Sequence, residues 1–278
     1  MIILLLAASR VVLETGFERI EAEDIRRDVG QAQDLLTERI QALDARVADW
    51  AYWDDTHQFI LDANQEFIDK NLTDGNFVSY FKVVNYVVFV NLQNEIVFKK
   101  GYDYALAREI PVPQGLLDRV KPGDVLLNHP DTKSHRSGVV LADEGPILVA
   151  SYPSLTSEMT GPVHGTLFFG ILLDDAYAGK LSDTLKSTIT IHQCTLASTM
   201  SPDMREALDA LQRDPASRLV RVLTKDRVAG YALTRDLDGN PAFVLRVDKP
   251  RHIHQTGQKA LNYFAFLLAA TGVALALV

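Results

Sequence analysis

The chain has 278 residues, 47% of them hydrophobic, and a formal net charge of −8. That is apolar content enough for a sizeable core in one or two domains, whereas the acidic balance and the lack of any Lys/Arg-rich block exclude a nucleic-acid partner. A single cysteine, Cys194, rules out an intrachain disulfide and a disulfide scaffold.

The chain opens with "MIILLLAASRVVL", whose first charge is Arg10. The run is too short to span a bilayer and lacks the basic start and cleavage site of a signal peptide. It reads as the outer end of a membrane helix, residues 1–13, whose beginning is missing. Next comes a long amphipathic stalk helix, residues 14–57. Ile25, Val29, Ala32, Leu36, Ile40, Leu43, Val47 and Trp50 recur at steps of three and four, near the heptad period. Helix from Glu14 to about Trp53 would measure about 60 Å at 1.5 Å per residue. A stripe that long exceeds what a small domain covers, so its near-membrane part is expected to form a parallel homodimeric coiled coil.

The helix leads into "DWAYWDDTHQF", Asp49 to Phe59, which holds both tryptophans of the chain. Asp54, Asp55 and His57 suit a metal ion chemically. On a helix, however, adjacent residues point about 100° apart, so both aspartates face one ion only where the helix ends. Acid–base catalysis by the carboxylates needs an opposing partner that no second motif supplies. Two readings stay open. Trp50 and Trp53 anchor the helix on a sheet while the aspartates cap the turn, or the group forms the wall of a small-molecule pocket. Trp50, Trp53, Asp54, Asp55 and His57 are thus the candidate ligand-binding residues, with no catalytic residue, cofactor or metal ion expected.

Residues 58–176 form the expected main sensor module. Asn64 caps a short helix in "NQEFIDKNL", and "VNYVVFVNLQNEIVFKKGYD" reads as a hairpin turning at Asn91–Glu95. Strands are expected at Gly138–Leu141, Ile147–Tyr152 and Gly165–Leu172, completing a five-stranded, mostly antiparallel sheet. A smaller membrane-proximal module, residues 177–257, carries a helix at Tyr177–Lys186, the strand "TITIH" and a helix opening at Ser201-Pro202. Its strands lie at Leu219–Leu223, Val228–Thr234 and Ala242–Val247. The fold class is α+β. "ALNYFAFLLAATGVALALV", residues 260–278, has no charge and no polar face and reads as a second transmembrane helix. Nucleotide-binding, nucleophile-elbow and zincin signatures are absent. "DLDGN" lacks the spaced ligands of a calcium loop and reads as a turn.

"FERIEAEDIRRDVGQA", "DWAYWDDTHQFI" and "NYVVFVNLQNEIVFKKGYD" follow one another in the order and spacing of the type-4 CHASE domain. "GPILVASYPSLTSEMTGPVHGTLFFGILLDD" and "DLDGNPAFVLRVDKPRHIHQTG" resemble that family's later segments. The resemblance covers about Phe17 to Gly257. It departs at the first hairpin, where Asn91–Glu95 replaces an Asp-containing turn with Gly. The resemblance implies a PAS-like, Cache-related sensor module flanked by transmembrane helices, lying outside the cytoplasm at a bacterial inner membrane. It also implies a missing cytoplasmic output domain, either a diguanylate cyclase (GGDEF), often joined to an EAL phosphodiesterase, or a histidine kinase. An unidentified small-molecule ligand, the membrane and a second copy of the chain are the implied partners. The rival readings are a membrane-tethered enzyme using Asp54, Asp55 and His57, and a structural periplasmic protein.

Overall fold

The structure, a computed structural model, describes residues 2–276; the side chains of 2–12, 197–199, 268, 269 and 272–276 lie outside the description. Helix α1 (Ile2–Ala51) is unbroken over 50 residues, about 75 Å at 1.5 Å per residue. Ile25, Val29, Ala32, Leu36, Leu43, Val47 and Ala51 are buried along one side of it. Strands of the same chain do the burying, because two sheets lie one after the other along the helix. The coiled-coil seam expected of this stripe is therefore corrected: Val29 and Leu36 belong to the intrachain core. Packing is so close that a β-carbon on Gly230 would overlap the side chains of Ile25 and Val29.

Helices α2 (Asp54–Asp62), α3 (Gln65–Asn71) and the short turn α4 (Asp74–Asn76) follow, then a π-helix at Phe77–Phe81. The Asn64 side chain accepts the Phe67 N–H and caps α3. Strands β1 (Tyr86–Asn91), β2 (Ile96–Asp103), β3 (Arg108–Ile110), β4 (Arg136–Ala142), β5 (Gly145–Pro153) and β6 (Gly165–Leu172) make one antiparallel sheet in the order β3-β2-β1-β6-β5-β4. In the β1–β2 turn, Asn91 Oδ1 accepts the N–H groups of Gln93 and Glu95, and Asn94 takes the positive φ of 61° that glycine otherwise supplies. Strand β3 extends the expected five strands to six. At three residues it is too short to show any periodicity.

All nine residues of β5 are buried, because both faces of this sheet are covered. Val87, Phe89, Ala150 and Phe169 face the α1 side. Tyr86, Val88, Val149 and Phe168 face a second core closed by α5 (Gln114–Leu117) and the loop carrying Leu126. Double coverage explains the near-continuous apolar runs of β1, β5 and β6.

Helix α6 (Asp175–Leu185) leads to β7 (Thr188–Gln193), a 3₁₀ turn and α7 (Pro202–Arg213). Strands β8 (Leu219–Thr224), β9 (Arg227–Arg235) and β10 (Pro241–Pro250) then complete a second antiparallel sheet, order β7-β10-β9-β8. Helix α7 packs Met204, Leu208 and Leu211 on the face away from α1. The "DLDGN" turn spends the Asp236 carboxylate on the N–H groups of Asp238 and Asn240. Asp238 in turn receives Arg119 of the first sheet's covering loop.

Helix α8 (His252–Ala276) ends the described chain. It runs antiparallel to the start of α1: Gln258 donates to Glu14 at 2.9 Å, and Arg251 pairs with Glu21 at 2.7 Å. Gly257 lies against the Phe17 ring. Among the described residues no helix is long and apolar enough to cross a membrane; of the segments expected to be the end of one membrane helix (1–13) and a second span (260–278), the side chains of 1–12, 268, 269 and 272–278 lie outside them.

The position of the stripe sets a stability test. Leu43→Ala, at 2% exposure, is expected to cost about 2–5 kcal/mol. Ile20→Ala, at 54% exposure, is expected to cost less than about 0.5 kcal/mol. Urea unfolding at two protein concentrations checks both, and an equal Leu43→Ala loss at each concentration marks the stripe as intrachain.

Candidate functional site

The tryptophan–aspartate motif sits at the break between α1 and α2. Helix α1 ends at Ala51, short of residue 57, because the Leu155 N–H takes the Ala51 carbonyl at 3.0 Å. Trp53 then adopts an extended backbone, φ −105° and ψ 127°, and α2 restarts at Asp54. Asp54 and Asp55 occupy the first turn of α2, where the helix dipole favours negative charge.

The motif's side chains divide into three groups. Trp50 and Trp53 are half-buried, with their rings edge-on to one another at 5.8 Å. Trp50 leans on Phe81 at 4.6 Å and Phe169 at 6.1 Å, and Trp53 on Phe67 at 5.6 Å. Trp50 therefore anchors the end of α1 on the first sheet and the π-helix, and Trp53 ties the break to α3, in tilted and edge contacts that aromatic rings prefer. Both rings are less enclosed than full burial against the sheet would make them. Their outer edges line a hollow of about 420 Å³ with Asn76 and Tyr80.

Asp54 turns the other way and accepts the Ser157 N–H at 2.8 Å, tying α2 to the loop after β5. That backbone hydrogen bond, with the Ser157 side chain, lowers the Asp54 pKa. Asp55 is exposed and lines a separate hollow of about 200 Å³ with Asn64 and Lys70. His57 stacks on His164 with centroids 4.2 Å apart. The five residues are thus brought to one joint and face different sides of it. Among the described residues no three His, Cys, Asp or Glu side chains are grouped to hold a metal ion. His164 and Ser157 complete the joint from "SYPSLTSEMTGPVHG", a stretch whose loop composition carried no chemical signal.

A second feature has no counterpart in the motifs. A cleft of about 570 Å³ opens between α1, the π-helix, the β2–β3 turn and α6, within the 300–1,000 Å³ typical of ligand pockets. Its walls include Val78, Val83, Ile171 and Leu172, the rings of Tyr104 and Tyr177, and the cations Arg39, Lys82 and Lys180. Lys82 has φ 54° and ψ −88°, a conformation rare for any side-chain-bearing residue. Three groups hold it there. Its own N–H bonds Phe77 O at 2.7 Å. The Tyr104 hydroxyl lies 2.9 Å from Val84 O and 3.2 Å from Phe77 O. Arg46 donates to Tyr80 O and Phe81 O at 2.5 and 2.7 Å.

Two sheets strung on one long helix are the architecture of periplasmic and extracellular sensor domains. The extracellular domain assigned to a histidine kinase, vpHK1S-Z8, matches with TM-score 0.57 at 9% identity, covering 87% of this chain and 95% of that one. The periplasmic domain of Vibrio cholerae LuxQ matches with TM-score 0.50 at 12% identity over 81% and 98%. At these identities the likeness is one of fold. The chain belongs to the CHASE4 domain family, which matches residues 35–192, and it is a sensory signalling domain. It is also 26% identical over 229 residues to the methanogenesis regulatory histidine kinase FilI of Methanothrix harundinacea (strain 6Ac). That match covers 82% of this chain, which spans only 24% of the kinase.

The His57 environment yields a pH test. Burial, and then the neighbouring His164, lowers the His57 pKa. A depressed imidazole pKa means the folded state binds the proton less readily than the unfolded state. The stability it contributes is full above the ordinary imidazole pKa and is lost as pH falls through the lowered value. His57→Gln is expected to make acid destabilisation below about pH 6.5 less steep, read from thermal melts at a series of falling pH values.

Proposed function

We propose that the chain is the extracytoplasmic ligand-sensing part of a membrane-bound receptor, held between two membrane helices drawn from residues 1–13 and 260–278. The carrying observation is the antiparallel pairing of early α1 with α8, through Glu14–Gln258, Phe17–Gly257 and Glu21–Arg251. It brings the incoming and outgoing chain to one end of the domain, as two adjacent membrane crossings require. On this reading residues 58–176 form the main sensor module and residues 177–257 the membrane-proximal one. The output is a histidine kinase, the type of the FilI relative, with a diguanylate cyclase/phosphodiesterase as the alternative. A small molecule favours one packing of the sheets on α1, and the α1–α8 pair carries the population shift across the membrane.

Topology is testable in cells. In a Cys194→Ala background, Lys225→Cys on the exposed β8–β9 turn is expected to react with a membrane-impermeant maleimide in intact cells. Labelling only after permeabilisation would place the domain in the cytoplasm and overturn the reading.

A homodimer is part of the same proposal, relocated from the stripe to the outer face of early α1. Leu13 and Ile20 remain exposed there, at 43% and 54%. Ile20→Cys in the membrane-bound Cys194→Ala protein is expected to form a disulfide cross-link between copies under mild oxidation. Its absence, together with monomeric mass in native membranes, removes the dimer.

A further inference from the structure

We infer that the cleft beside the π-helix is a binding site for a small organic carboxylate with an apolar body, singly charged. This rests on the sensing role proposed above and names the class of ligand sensed. The chain as a whole carries −8, yet the cleft is lined by Arg39, Lys82 and Lys180 against only Asp103 and Asp174. Both carboxylates are already engaged. Asp103 Oδ1 accepts the N–H groups of Ala105 and Leu106, and Asp174 Oδ1 accepts that of Tyr177. Arg39 lines the cleft beside Tyr177, and its charge partly offsets the rise that burial causes in the Tyr177 pKa. Among the described residues neither Lys82 nor Lys180 has an ion-pair partner, so one positive charge is in excess and two ammonium groups are free to receive an anion.

The remaining wall is apolar, and an inorganic anion would leave Val78, Val83 and Ile171 uncovered by anything they bind well. A carboxylate headgroup on the cations, with hydrocarbon against those side chains, uses both halves of the lining. The unusual backbone of Lys82 fits the same role. The Tyr104 hydroxyl donates to Phe77 O and Val84 O, and Arg46 to Phe81 O, which fixes the backbone on both sides of Lys82 where it lines the cleft. Strain maintained by several independent bonds is characteristic of binding sites. The location also suits signalling, since a molecule bound here touches α1, the first sheet and α6 leading into the second sheet.

The test uses the purified full chain in lipid nanodiscs, titrated calorimetrically with benzoate and phenylacetate and with their uncharged amides. At least one acid is expected to bind at up to about 10 mM, with the amide about tenfold weaker or undetectable, as loss of a charge-assisted contact implies. Lys82→Met combined with Lys180→Met is expected to weaken the acid about tenfold, and Lys225→Met to leave it unchanged. Lys82→Gly serves as a second variant: glycine tolerates the backbone, so it should melt no lower than the native chain and still bind more weakly. Three results overturn the inference: no binding by either acid, equal binding of acids and amides, or native affinity in both lysine variants. Binding is read on purified protein, so the outcome is separate from the maleimide test. Outside labelling with no carboxylate binding refutes the cleft and leaves the sensing role standing.

Discussion

The apolar face of α1 is the constraint on which both sheets depend. Seven buried positions between Ile25 and Ala51 join residues of β1, β5, β6, β9 and β10 into one core. Each Ile, Val or Leu among them removed from water is worth about 1.5–3 kcal/mol, an upper range given residual burial in unfolded chains. On that side α2 and the π-helix share the first sheet with α1, through Phe59 on Phe89 and Phe81 on Phe169, and α6 shares the second through Leu181, but α1 alone runs along both. A shift of α1 is therefore felt by both sheets at once, which is the mechanical property a sensor read through one helix requires.

Charges set the register that the apolar face leaves free. A greasy stripe resists sliding weakly, since neighbouring turns offer similar surfaces. At the end of the domain where early α1 meets α8, Glu21 pairs with Arg251, and Lys249 lies 2.5 Å from Asp28 and 3.0 Å from Asp24. Burial lowers the Lys249 pKa, but Asp28 and Asp24 outweigh it and the net shift is upward. Buried ion pairs stabilise little against apolar replacements of similar size, yet breaking one strands a charge at a cost of about 3–5 kcal/mol. Their effect is to select one alignment of α1 with β10 and α8. An alternative alignment becomes accessible only where these pairs exchange partners together.

The joint at Ala51–Asp54 and the cleft at Lys82 share the π-helix between them. Trp50 packs on Phe81, the last residue of that helix, and Arg46 one turn earlier on α1 bonds its carbonyls. A displacement of the π-helix on filling the cleft thus meets the end of α1 directly, through an aromatic contact and two hydrogen bonds. Dense packing converts such local movements into discrete rearrangements more readily than into gradual ones. Asp54 and His57 lie beyond this contact and fix α2 to the β5–β6 connection through Ser157 and His164.

How much of this was legible in the sequence follows from the range of each signal. Steps of three and four from Ile25 to Val47 identified a buried helix face, and β-branched runs around the Asn91–Glu95 turn and at Ile147–Tyr152 and Gly165–Leu172 identified strands, because both patterns repeat within a few residues. The resemblance to the CHASE4 family rested instead on the order of motif segments along nearly the whole chain. Periodicity says that a face is covered and is silent on what covers it, so the α1 stripe read as a partner's seam although the chain's own two sheets fill it. The early end of α1 depended on Leu155, a hundred residues away, taking the Ala51 carbonyl. The His57–His164 stack and the cleft formed by Arg39, Lys82, Tyr104, Ile171 and Lys180 leave no trace in local sequence. Their residues are distant along the chain and ordinary where they stand, and only the packing of α1, the π-helix and α6 gives them a common site.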